Sequence, residues 1–182
     1  MKIYYLPEEK DFSIDIMEDL KRAKKVVLIS PFLSVNVIKE WRDACKNIPC
    51  EDFTIVYDIN EDSGEGKYLP GKNDEELIES ITWKRFERLH SKIYYFEFDK
   101  GYSFYHGSAN LMNYGVGNKG EGKEIERNIE IMSRLTNESS SGKNIQEIIK
   151  YYKEKSIDEV PSFVGNPNPD QSIDDILRLL LL

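Results

Sequence analysis

Two short, almost wholly apolar runs, Val26 to Phe32 and Phe53 to Ile59, flank a stretch with helical spacing from Val35 to Lys46. A run that is apolar at nearly every residue and only a few residues long reads as a buried strand, whereas the intervening period of 3.6 reads as a helix. That alternation restricts the chain to a layered α/β architecture with crossover helices. The rest of the chain fits the same scheme. Phe12 to Lys24 carries Ile16, Met17, Leu20 and Ala23 at helical spacing, with Ser13 as the expected N-cap. A short helix is expected over Asp74 to Ser80. Strands are expected near Thr82 to Glu87, Lys92 to Phe98, Tyr102 to His106 and Asn128 to Arg134, then a helix from Asn144 to Lys155.

The 182 residues, 40% of them apolar, suffice for one domain with a buried core, placed at 1–159. Val160 onward reads as a linker over 160–171 and a C-terminal helix over 172–182, ending LRLLLL, which is read as an interface helix or the start of a further segment. EDSGEGKYLPGKN and Gly115 to Glu126 are polar, glycine-rich loops, the second expected on the substrate side. Neither a secretory succession nor a membrane-length apolar stretch is visible, so the expected location is the cytoplasm, without a membrane partner. Cys45 and Cys50 lack a metal-ligand pattern and are read as reduced structural thiols.

The chemistry concentrates in LHSKIYYFEFDKGYSFYHGSAN, Leu89 to Asn110. His90 and Lys92 are expected on one face of a strand, and Gly107, Ser108 and Asn110 follow at a later strand end. A potential nucleophile beside a fixed positive charge and neutral donors suggests phosphodiester chemistry. A net charge of −8 argues against a broad basic surface, but Lys84, Arg85 and Arg88 cluster beside His90, with Lys119, Lys123 and Arg127 after GSAN.

Together, LHSKIYYFE, HGSAN and RNIEIM resemble the phospholipase D superfamily, and most of all its bacterial nuclease and restriction-endonuclease branch. The resemblance implies a mixed β-sheet flanked by helices on both faces. The family pattern is His, any residue, Lys, four residues and Asp, then Gly-Ser-any-Asn; here the Asp position is Glu97. In nuclease members the acid that orients the histidine is a later glutamate, matching Glu130. On this reading His90 attacks phosphorus, Glu130 fixes its tautomer, Lys92 neutralises the phosphate, and Ser108 and Asn110 donate hydrogen bonds. Gly107 lets the backbone approach the substrate, and Lys84, Arg85 and Arg88 bind it. His106 has no matching lysine and is read as structural or at the substrate's edge.

Release of the leaving oxygen requires a second proton donor, and the chain holds one copy of the motif. Single-motif members pair two subunits, so the resemblance implies a homodimer in which each chain lends a histidine to a shared site. No metal and no cofactor is expected. The expected partner is DNA or another nucleic acid, and the expected activity that of an endonuclease of restriction or defence type. A phospholipase or phosphatidyl transferase, and a noncatalytic nucleic-acid or subunit-binding domain, are the alternatives.

Overall fold

A computed structural model of the chain describes residues 1–6, 11–58, 70, 72–112, 130–136 and 142–161. Its elements run β1 (Lys2–Leu6), α1 (Asp11–Arg22), β2 (Lys25–Ile29), α2 (Val35–Ala44), β3 (Phe53–Tyr57), α3 (Glu75–Glu79), β4 (Thr82–Arg85), β5 (Ile93–Phe98), β6 (Gly101–Gly107), β7 (Glu130–Thr136), α4 (Gly142–Lys155) and β8 (Ile157–Asp158). The strands form one sheet in the order β1-β7-β6-β5-β2-β3-β4-β8. Pairs β2–β3 and β3–β4 are parallel and every other pair is antiparallel. The expected mixed sheet with helices on both faces is therefore what forms.

Burial explains the layering. Phe12, Ile16 and Leu20 of α1 and Val37, Ile38 and Trp41 of α2 pack on one face against Tyr4, Val26, Leu28, Tyr94, Phe96 and Tyr105. Ile145 and Ile149 of α4 cover the other face, over Val27, Ile29, Tyr95, Tyr102 and Phe104. A polar cluster ties α1 to β6 and β7. The fully buried Asp19 accepts bonds from Tyr105 Oη (2.7 Å), Arg134 Nη2 (2.8 and 2.9 Å) and Arg22 Nη2 (2.5 Å). Burial and the adjacent Asp19 carboxylate push the Tyr105 hydroxyl's pKa far up, so it stays a donor.

Several expectations shift. Ser13 does not cap α1 but lies inside it, because the buried stripe begins at Phe12 and the helix must include that residue. Strand β1 went unread: Tyr4 and Leu6 point inward, but Ile3 and Tyr5 face solvent, so no apolar–polar alternation marks it. Ile59, the two glycine-rich loops in large part, Asn128, Lys119, Lys123, Arg127, most of the expected 160–171 linker and all of the 172–182 helix lie outside the described residues. Cys45, at the end of α2, is a buried free thiol whose pKa burial raises to about 11, and Cys50 is exposed and also free. Among the described residues no helix is long and apolar enough to cross a membrane.

Candidate active site

Strand direction gathers the motif residues at one end of the sheet. The C-terminal ends of β1, β2, β3, β4 and β6 and the N-terminal ends of β5 and β7 all share that end. His90 and Lys92 precede β5, Gly107 ends β6, Ser108 and Asn110 follow it, and Glu130 opens β7. The expected strand start at Lys92 moves to Ile93, so His90 and Lys92 lie in the segment leading into β5 and not on one face of a strand as expected. Lys92 continues the ladder by one bond, its carbonyl accepting from Gly107 N at 3.3 Å.

The exposed His90 sits on a backbone fixed from both sides. Leu89 N donates to Asp58 Oδ2 at 3.1 Å, and Ser91 Oγ lies 2.5 Å from Tyr152 Oη. Lys92 Nζ donates to the His90 carbonyl at 3.0 Å. Arg88, just upstream, adopts a left-handed φ of 59°, a conformation that costs a non-glycine residue about 1 kcal/mol or more. Strain of this kind persists where neighbours over-determine the backbone, and Asp58 is such a neighbour.

The Gly107–Asn110 segment is held as firmly. Ser108 N donates to Ile131 O and Ile131 N to Ser108 Oγ, each at 3.0 Å, which seals the turn to β7. Ala109 O accepts from the buried Tyr94 Oη at 2.6 Å. Leu111 N donates to Ser30 Oγ at 3.0 Å, and Leu111 O accepts from Ser34 N at 2.8 Å. Asn110 thus projects from a backbone anchored on both flanks. Among the described residues its Oδ1 is buried without a hydrogen-bond partner, an uncommon state for a native acceptor. Gly107 has a packing reason the sequence reading did not supply: a Cβ there would lie 2.0 Å from Ile131 O and 2.7 Å from Met132 Sδ. The close passage of β7 accounts for this glycine without any substrate.

Glu130 is 8% exposed and shares the α1 face of β7 with Met132. Burial, with the Glu130 charge adding to it, pushes the Tyr94 hydroxyl's pKa well up, so the carboxylate lies in the electrostatic reach of the strand that follows His90. No hydrogen bond joins Glu130 to His90 among the described residues; the fold brings both to one sheet end. Glu97 goes elsewhere. It sits opposite Lys25, accepts from Tyr95 Oη at 3.1 Å, and lines a cleft with Lys25 and Lys153 of α4. Five residues of strand put it roughly 17 Å from Lys92, and alternation puts it on the other face. His106 is exposed with its ring 5.6 Å from Phe104, a member of the α4-side core.

The basic cluster is divided. Lys84 Nζ pairs with Asp158 at 2.6 Å and Arg85 Nη1 with Glu159 at 3.3 Å, so two of the three cations are already matched by the β8 segment. Arg88 is exposed. Sequence reasoning missed Ser30, Asp58, Tyr94 and Tyr152, whose roles come from hydrogen bonds made across the fold. The one available signal was the polar Ser30 within an otherwise apolar run.

No protein-family model and no curated protein matches the chain in sequence. Solved structures do match in fold. NucT from Helicobacter pylori matches with a TM-score of 0.61 at 15% identity, over 87% of this chain and 98% of that one. Nuc from Salmonella typhimurium, a phospholipase D family member, matches with a TM-score of 0.58 at 15% identity, over 87% and 96%. Polyphosphate kinase from Porphyromonas gingivalis matches with a TM-score of 0.58 at 15% identity, over 100% of this chain and 28% of that one.

Proposed function

Because the chain carries the phospholipase D-like fold, we propose that it is a phosphodiesterase of the nuclease kind, with DNA as its first substrate class. The observation that carries this reading is the convergence of His90, Lys92, Ser108, Asn110 and Glu130 at one sheet end, in a fold shared with NucT and Nuc. A ring nitrogen of His90 attacks phosphorus and forms a P–N bond as the P–O bond to the leaving group breaks. Lys92 and Asn110 offset the charge on the nonbridging oxygens. Glu130, nearly buried at the start of β7, supplies the negative charge that favours one tautomer of the ring and offsets the positive charge the ring gains as the P–N bond forms. A proton passes to the leaving oxygen, and water then hydrolyses the phosphohistidine, which regenerates the imidazole.

The single motif supports a homodimer in which His90 of the second subunit donates that proton and later activates the water. A mixed dimer of one wild-type chain and one His90→Ala chain is expected to lose multiple turnover while still trapping labelled phosphate on its remaining histidine. Turnover at half the wild-type rate would mean independent sites. A second measurement bears on charge neutralisation. With Lys92, Ser108 and Asn110 performing it, plasmid cleavage is expected to persist in excess chelator. Full inhibition reversed by magnesium would overturn that part.

A further inference from the structure

Between Val26 and Ser34 every residue is buried except Phe32. Its neighbours explain why the segment holds still. Ser30 Oγ donates to Phe32 O at 2.7 Å and accepts from Leu111 N at 3.0 Å, so one hydroxyl couples Phe32 to the residue after Asn110. Leu33, 3% exposed, bridges to Leu111, and Ser34, 4% exposed, donates to the Leu111 carbonyl. The last β2–β5 pair is Ile29–Ile93, so Phe32 lies three residues past it on one strand and His90 three residues before it on the other. Both leave the sheet at the same end. The Phe32 ring joins neither core and makes no ring contact with the described residues. Among the described aromatics only Tyr5, on the edge strand, shares that condition.

We infer that Phe32 is a stacking platform for an unpaired base of a nucleic-acid substrate, seated beside the phosphate that His90 attacks. The inference rests on the phosphodiesterase reading and narrows its substrate to strands with exposed bases. Every base offers a π-face to a ring, so one aromatic side chain on a fixed backbone suits sequence-tolerant binding of single strands. An acyl chain would need a continuous apolar surface instead. Beside the start of β7 the large exposed apolar side chains are one cross-strand pair, Tyr5 and Ile131, and the others, such as Ile14, Ile148 and Ile157, are scattered over α1, α4 and the sheet edges.

The test uses the full chain, an oligothymidylate, and the same-length oligomer with abasic sites in place of the bases. Binding is read by fluorescence anisotropy and cleavage by KM. The wild type is expected to prefer the base-bearing oligomer, and Phe32→Ala to lose about tenfold of that preference while Phe32→Trp keeps it. An equal loss on both oligomers would make Phe32 structural, and no loss on either would make it idle; each overturns the inference. A loss seen only with phosphatidylcholine vesicles would assign the ring to lipid and overturn it too. Phe32-dependent binding with no cleavage of any diester would instead sink the phosphodiesterase reading and leave the stacking role standing.

Discussion

Replacing His90 with alanine is expected to reduce phosphodiesterase turnover roughly a thousandfold or more, with a melting temperature within a degree or two of wild type. The side chain is exposed, and the local backbone is held by Asp58, Tyr152 and Gly107 rather than by the ring. Removing it therefore deletes chemistry and little packing. His106→Ala serves as the internal comparison. That residue lies on β6 opposite Ile93 and Ser133, its ring against Phe104, and its loss is expected to leave most of the activity. Comparable losses in the two variants, or an active His90→Ala enzyme, would remove His90 from the nucleophile's role.

Asp19→Ala is expected to be the most damaging single change to stability. It strips a partner from Tyr105, Arg134 and Arg22 at once and leaves the buried Tyr105 hydroxyl without an acceptor. Breaking a buried pair from one side typically costs about 3–5 kcal/mol, which for a chain of this size lowers the melting temperature by roughly 10 °C. Asp19→Asn keeps an acceptor for Tyr105 and is expected to lose less. Thermal melts of the two variants check this; equal and small shifts would show that the cluster is dispensable. Acid acts on the adjoining carboxylate. Burial would raise the Asp15 pKa, but hydrogen bonds from Lys2 and Tyr4 and the Arg134 charge outweigh burial and hold it below the usual carboxylate range. Its contribution is thus present above the ordinary carboxylate pKa and lost as pH falls through the lowered one.

Spacing made the candidate site legible. The short interval from His90 to Lys92 marks the pair although the strand expected to carry it begins only at Ile93, and GSAN marks the end of β6 whatever lies beyond it, so those positions needed no tertiary knowledge. Lys84 and Arg85 show the opposite case. Their readiness for substrate depends on Asp158 and Glu159, which lie beyond α4 and reach them only because β8 adds to the edge of β4. Glu97 occupies the family's acid position in the sequence, yet alternation sends it to the face under α4, and Glu130 from another strand lies at the candidate-site end instead. Gly107 was read toward substrate when β7 already fills the space beside it. In each case local pattern named the residue and long-range pairing decided its surroundings.

The place of β7, inserted between β1 and β6, has a bearing on how the chain emerges from the ribosome. Strand β1, Lys2–Leu6, finds its one strand partner among the described residues in a strand that begins at Glu130. Until that segment is synthesised β6 presents an open edge, and β1 has no ladder to join, the kind of late, long-range closure that slows folding and leaves nascent chains prone to association. Nascent-chain complexes stalled before β7 should therefore be far more sensitive to protease within β1 than complexes stalled after it.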